Sequence, residues 1–72
     1  MTKEEACRAI DAIQLALGSD RRVGIFDDGR LWEIKSLDRK KSGDYQLSCA
    51  YFGAVRQCWL SELNIQDIFI SL

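Results

Sequence analysis

The stretch Val23-Gly24-Ile25-Phe26-Asp27-Asp28-Gly29-Arg30-Leu31-Trp32-Glu33-Ile34-Lys35 decides the fold. Asp28-Gly29 tolerates the positive φ that both central positions of a type I′ turn require, and apolar residues alternate on either side of it. The segment therefore reads as a β-hairpin joining a first strand, Arg22 to Phe26, to a second, Arg30 to Leu37. Val23 and Ile25 share one face of the first strand, with Gly24 and Phe26 on the other. In the second, Trp32 and Ile34 alternate with Glu33 and Lys35, so one side is buried and one is wet. Leu31 and Leu37 fall in phase with the charged residues, the pattern of a strand that bends.

Upstream the period changes. Thr2-Lys3-Glu4-Glu5 is a capping box, in which the Thr2 hydroxyl accepts from the Glu5 amide and the Glu5 carboxylate reaches back to the Thr2 amide. The two glutamates also lie at the positive end of the helix dipole. Ala6, Ile10, Ile13 and Leu17 then form an apolar stripe at helical spacing, widened by Ala9 and Ala16, whose small side chains permit close approach to a sheet. Gly18 stands where a left-handed residue ends a helix.

Downstream, Asp38 to Asp44 is polar and charged and reads as a mobile loop. Tyr45, Leu47, Cys49 and Tyr51 alternate with Gln46, Ser48, Ala50 and Phe52 in a third strand. Gly53-Ala54 is expected to turn the chain into a fourth strand, where Val55, Gln57 and Trp59 oppose Arg56, Cys58 and Leu60. Ser61 to Asn64 suits one 3₁₀ turn, and Ile65 to Leu72 a fifth strand. A helix followed by about five short strands predicts an α+β domain: an N-terminal helix packed on a five-stranded, strongly bent antiparallel sheet or small barrel.

With 72 residues, the chain holds one domain, residues 1–72, with the helix in 1–18 and the β part in 22–72. A domain of this length buries only about 60% of its unfolded surface, so self-association is a natural supplement. The apolar fraction of 47% is high for this size, and implies apolar surface turned toward a partner or a second copy. The three cysteines, Cys7, Cys49 and Cys58, are odd in number and widely spaced, which argues against a disulfide framework or a metal knuckle and for a reducing, cytoplasmic setting. No apolar run approaches the roughly 20 residues of a membrane span.

Histidine is absent, which removes the commonest general base near neutral pH and the commonest zinc ligand. No Cys-x-x-Cys pair, phosphate-binding glycine loop or nucleophile elbow is present. Asp27-Asp28 is explained by the turn preference of aspartate. Enzymatic activity is not expected, nor is a cofactor or a metal. The cysteines read as small hydrophobes, the only nearby cation being Arg8 beside Cys7.

The net charge is −1, and only the middle of the chain is basic: residues 21–44 carry seven basic and five acidic groups. Arg39, Lys40 and Lys41, with Arg21, Arg22 and Arg30, form the best electrostatic candidate for a contact surface, against the alternative that such a run is a solvated loop. RNA contact by these residues would require exposed aromatics for stacking, such as Tyr45 or Trp32. Trp32, Phe26, Trp59 and Phe69 instead fall where a small barrel needs bulk. A second candidate surface is Tyr51 and Phe52 with Arg56 and Trp59, residue types that dominate protein interfaces.

The order of elements is that of the Sm-like small barrel. Val23 to Trp32 looks like the first Sm motif, and Leu63-Asn64-Ile65-Gln66-Asp67-Ile68 resembles the second. Among such folds the layout resembles the Rof family of Rho modulators, small acidic proteins with an N-terminal helix on an Sm-like barrel that act by contacting a protein. The Asn of the first motif's uridine pocket and the Arg-Gly pair of the second have no counterparts here. The resemblance implies a non-enzymatic, protein-binding modulator or inhibitor of a larger machine, of bacterial or phage type. The alternatives are an Sm-like RNA-binding oligomer using the basic loop, and a small-molecule barrel.

Overall fold

A computed structural model describes residues 1–71. The capping box forms as the sequence requires: Glu5 N donates to Thr2 Oγ1 at 3.1 Å and Thr2 N to Glu5 Oε1 at 2.8 Å. That bond holds the Glu5 carboxyl below its ordinary range. Helix α1 runs Lys3–Leu17. Gly18 ends it with φ −83°, not in the left-handed region; its amide donates to the Gln14 carbonyl and the Ser19 amide to that of Ala16, closing the last turn. The face against the sheet is Ala9, Ile13 and Ala16, the small residues lying in the contact where the helix axis must come close. Leu17, at the edge of the predicted stripe, is exposed.

Five strands follow: β1 (Val23–Asp27), β2 (Arg30–Arg39), β3 (Tyr45–Tyr51), β4 (Ala54–Trp59) and β5 (Ile68–Ile70). They form one antiparallel sheet in the order β4-β3-β2-β1-β5. The helix packs across β1, β2 and β5. The sheet is not closed, so the barrel wording is too strong. It is nevertheless strongly curved: Arg56 on β4 reaches Asp27 on β1 at 2.7 Å, although two strands lie between them and flat neighbours are spaced about 4.8 Å apart.

The β1–β2 turn is as predicted, with Asp28 at φ 52° and Gly29 at φ 72°. In β2 the register shifts between Ile34 and Ser36. That bulge absorbs one residue and brings Leu37 onto the core side opposite Leu47, which explains why Leu37 was out of phase. Leu31, before the bulge, stays on the outer face. β2 also extends through Arg39, so the loop is shorter than expected, and it is tied by Lys40 N to Asp44 O at 2.8 Å and Gly43 N to Lys40 O at 2.9 Å. The β3–β4 turn is centred one residue earlier than predicted, on Phe52-Gly53.

The chain then makes 3₁₀ turns at Leu60–Glu62 and Ile65–Asp67 before β5. The fifth strand is thus three residues long, because the Ile65 carbonyl accepts from the Ile68 amide and holds the start of the expected strand in a turn. Leu72 lies outside the described residues. The core unites Ala9, Ile13 and Ala16 with Val23, Ile25, Trp32, Ile34, Leu47, Cys49 and Leu60. Phe26 and Phe69 do not supply core bulk. They lie exposed on the outer face, packed edge to face at 6.1 Å, because alternation from Ile25 and Ile68 points them away from the helix.

Candidate functional site

Alternation and register divide the sheet into two faces and two ends. The inner face, toward the helix, carries Asp27 of β1, Arg30 and Trp32 of β2, Cys49 and Tyr51 of β3, and Arg56 and Cys58 of β4. Both tight turns, at Asp28-Gly29 and Phe52-Gly53, lie at one end, called the turn end. The Lys40–Asp44 loop and the start of β1 lie at the other, the loop end.

At the turn end the side chains stack in a continuous series. Arg56 NH1 donates to Asp27 Oδ2 at 2.7 Å, and its guanidinium lies over the Trp32 ring, 4.7 Å from the centroid. Trp32 packs on Tyr51 at 5.4 Å. Tyr51 in turn receives Arg30 over its face at 5.7 Å and meets Phe52 edge to face at 4.7 Å. Each cation lies on the electron-rich face of a ring, an arrangement worth about 0.5–2 kcal/mol depending on solvent exposure. The Asp27 hydrogen bond raises the Arg56 pKa and burial opposes it. Arg56 Nε is buried and, among the described residues, has no acceptor.

Phe52 stands apart within this group. It adopts φ 45°, a region a bulky side chain enters at a cost of about 1–2 kcal/mol, and it is 93% exposed. The strain is not offset by burial.

Strand direction parts Arg30 from the other members of the predicted basic cluster. Arg21, Arg22, Arg39, Lys40 and Lys41 are exposed and lie toward the loop end, whereas Arg30 lies at the turn end. Arg22 is drawn to Glu33 at 3.8 Å, and Glu33 also binds Lys35; the Lys35 contact holds the Glu33 carboxyl below its ordinary range. Asp44 anchors the loop, accepting from Ser61 Oγ at 2.6 Å and from Tyr45 N at 2.8 Å, and the Ser61 bond lowers its pKa. Because the loop's cations make no described ion pair, reversing Arg39, Lys40 and Lys41 together to Glu is expected to change stability by no more than about 0.5 kcal/mol per site. A urea titration checks this, and a larger loss would mean that the loop side chains are packed.

Of the nine residues singled out from sequence, Arg30, Tyr51, Phe52 and Arg56 converge at the turn end, and the other five lie toward the loop end. Sequence reasoning missed Asp27 and Trp32 as members of the group, the first explained as a turn former and the second as core. It also missed Cys58, which lies two residues beyond Arg56 on the same face of β4; the spacing Arg-x-Cys in a strand is the signal that would have found it. The neighbouring Cys49 thiol, opposed by burial and aided by Arg56, lowers the Cys58 pKa to about 7, while the Cys58 sulfur and burial push Cys49 upward.

On the outer face, a groove of about 400 Å³ lies over Gly24, lined by Arg22, Leu31, Glu33 and Phe69. Its floor is glycine because a Cβ there would stand 2.6 Å from the Trp32 carbonyl oxygen. Among the described residues, no three His, Cys, Asp or Glu side chains come together to hold a metal, and no helix is long and apolar enough to cross a membrane. No protein-family model, curated protein or solved structure matches this chain.

Proposed function

We propose that this chain is a non-enzymatic regulator that binds another protein through the turn end of its sheet, as a modulator or inhibitor of a larger machine. The observation that carries the reading is Phe52, a strained and exposed aromatic at the tip of a rigid hairpin, beside Tyr51 and Arg30. Aromatic and arginine side chains on a fixed backbone form interface hot spots at low entropic cost. The Sm-like and Rof resemblance rests on the sequence order of a helix and five strands; the sheet itself, of order β4-β3-β2-β1-β5, is open. Its outer strands, β4 and β5, suit pairing with a second copy.

An RNA-binding role draws less support. Its phosphate contacts would come from the loop end, but the aromatics needed for stacking are occupied: Trp32 is 9% exposed and Tyr45 is packed against the core. The most exposed aromatic, Phe52, is at the opposite end, and Phe26 and Phe69 pack on each other on the outer face.

Phe52→Asn is the direct test. Asn-Gly is the favoured type I′ pair, so relief of the left-handed phenylalanine outweighs the lost Tyr51 contact. The variant should be between equally stable and about 1 kcal/mol more stable. In an affinity pull-down from bacterial lysate treated with nuclease, wild type should retain a stoichiometric protein that Phe52→Asn loses. Recovery of RNA that disappears at moderate salt would instead favour the RNA reading.

A further inference from the structure

We infer that the outer edge of β4 pairs with the same strand of a second copy, antiparallel and centred on Gln57, joining two molecules into one continuous sheet. The inference rests on the self-pairing named above and fixes its edge and its register. β4 and β5 are the outer strands, but β5 is three residues long and β4 six. β4 also lacks the devices that blunt an edge, since Ala54–Trp59 holds no Lys, no Pro and no bulge against β3. Its single charge, Arg56, is turned to the inner face and engaged by Asp27 and Trp32.

The tight turn fixes which backbone groups are open. A two-residue loop at Phe52-Gly53 closes on Tyr51 and Ala54 as a hydrogen-bonded pair, and such pairs alternate along an antiparallel ladder. Ala54, Arg56 and Cys58 therefore direct their N–H and C=O groups to β3. Val55, Gln57 and Trp59 direct theirs to the edge, where, among the described residues, no strand meets them.

Antiparallel registers that overlap most of the strand and set these groups face to face centre on Arg56, Gln57 or Cys58. Centring on Arg56 places two guanidiniums directly opposite, a repulsive pair. Centring on Cys58 leaves Val55, which is 71% exposed, opposite Ser61 in the 3₁₀ turn and outside the ladder. Centring on Gln57 sets Val55 against Trp59 of the copy at both ends of the pairing, a β-branched side chain against an aromatic, and Arg56 against Cys58 on the inner face. The pairing is two-fold and closed, so assembly stops at a dimer. The two Phe52 tips then stand at opposite ends of the joint sheet, on the order of 30 Å apart, and the dimer presents the turn-end surface twice.

Sedimentation equilibrium and cysteine cross-linking test the pairing. Wild type should sediment as a concentration-dependent dimer of the 8.2 kDa chain. Gln57→Lys changes an exposed side chain and should give a folded monomer, because two ammonium groups would face each other across the edge. In a Cys7→Ser, Cys58→Ser background, Gln57→Cys should form a disulfide-linked dimer under mild oxidation, since directly opposed Cα atoms lie about 5.5 Å apart. Val55→Cys should not, because position 55 would lie about 14 Å from its counterpart. Phe52→Asn should remain dimeric and Gln57→Lys should still retain the lysate protein, so failure of the pairing and failure of the turn-end reading are observed separately. A wild-type monomer up to millimolar concentration, a trimer or larger ring, a dimer unaffected by Gln57→Lys, or linkage through Val55→Cys in preference to Gln57→Cys would each overturn the proposal.

Discussion

Ile13→Asp is expected to abolish the folded state. Ile13 is 0% exposed and sits between Ala9 and Ala16 on the helix face that meets the sheet. The substitution removes a packed side chain, worth about 2–5 kcal/mol. It also places a carboxyl in the apolar core; a buried acid shifted by about 3–5 pKa units costs about 4 kcal/mol at pH 7, since it folds protonated once its pKa passes 7. A domain of this length holds about 4–11 kcal/mol in total, so the sum consumes most or all of it. Far-UV circular dichroism and urea titration should show no cooperative transition, whereas Ile13→Val should lose only about 0.5–1.5 kcal/mol. An Ile13→Asp protein with a near-wild-type urea midpoint would mean that the helix is not part of the core.

Trp32→Ala is the second large effect, at about 3–5 kcal/mol. Trp32 is buried against the core and is also the platform between Arg56 and Tyr51. Its loss leaves a cavity and withdraws the ring face from a guanidinium whose Nε already lacks an acceptor. The cost should therefore exceed that of Trp32→Phe, which keeps an aromatic face, by at least about 1 kcal/mol. Equal midpoints for the two variants in urea would show that the Arg56 contact contributes nothing. Because Phe52→Asn is expected to spare stability, the pair separates the two jobs of this end of the molecule: Trp32 holds the surface and Phe52 presents it.

The elements legible in the sequence are those specified by neighbours a few residues apart. Thr2 and Glu5 cap each other three residues apart, Asp28-Gly29 selects its own turn, and the period-two runs place Val23, Ile25, Trp32, Ile34, Leu47 and Cys49 on one face; these are local consequences of backbone geometry. Arg30, Tyr51, Phe52 and Arg56 were recognisable as surface candidates from residue type.

Tertiary structure decided the rest. The bulge at Lys35, set by pairing with β3, returned Leu37 to the core, and the Ile65–Asp67 turn, packed against the helix and β1, shortened β5. Curvature brought Asp27 to Arg56 across two intervening strands, and the direction of each strand put Arg30 at one end of the sheet and Arg39, Lys40 and Lys41 at the other. Composition placed those cations in one class and strand pairing separated them, since charge is carried by single residues whereas a binding surface depends on where the fold sends each one.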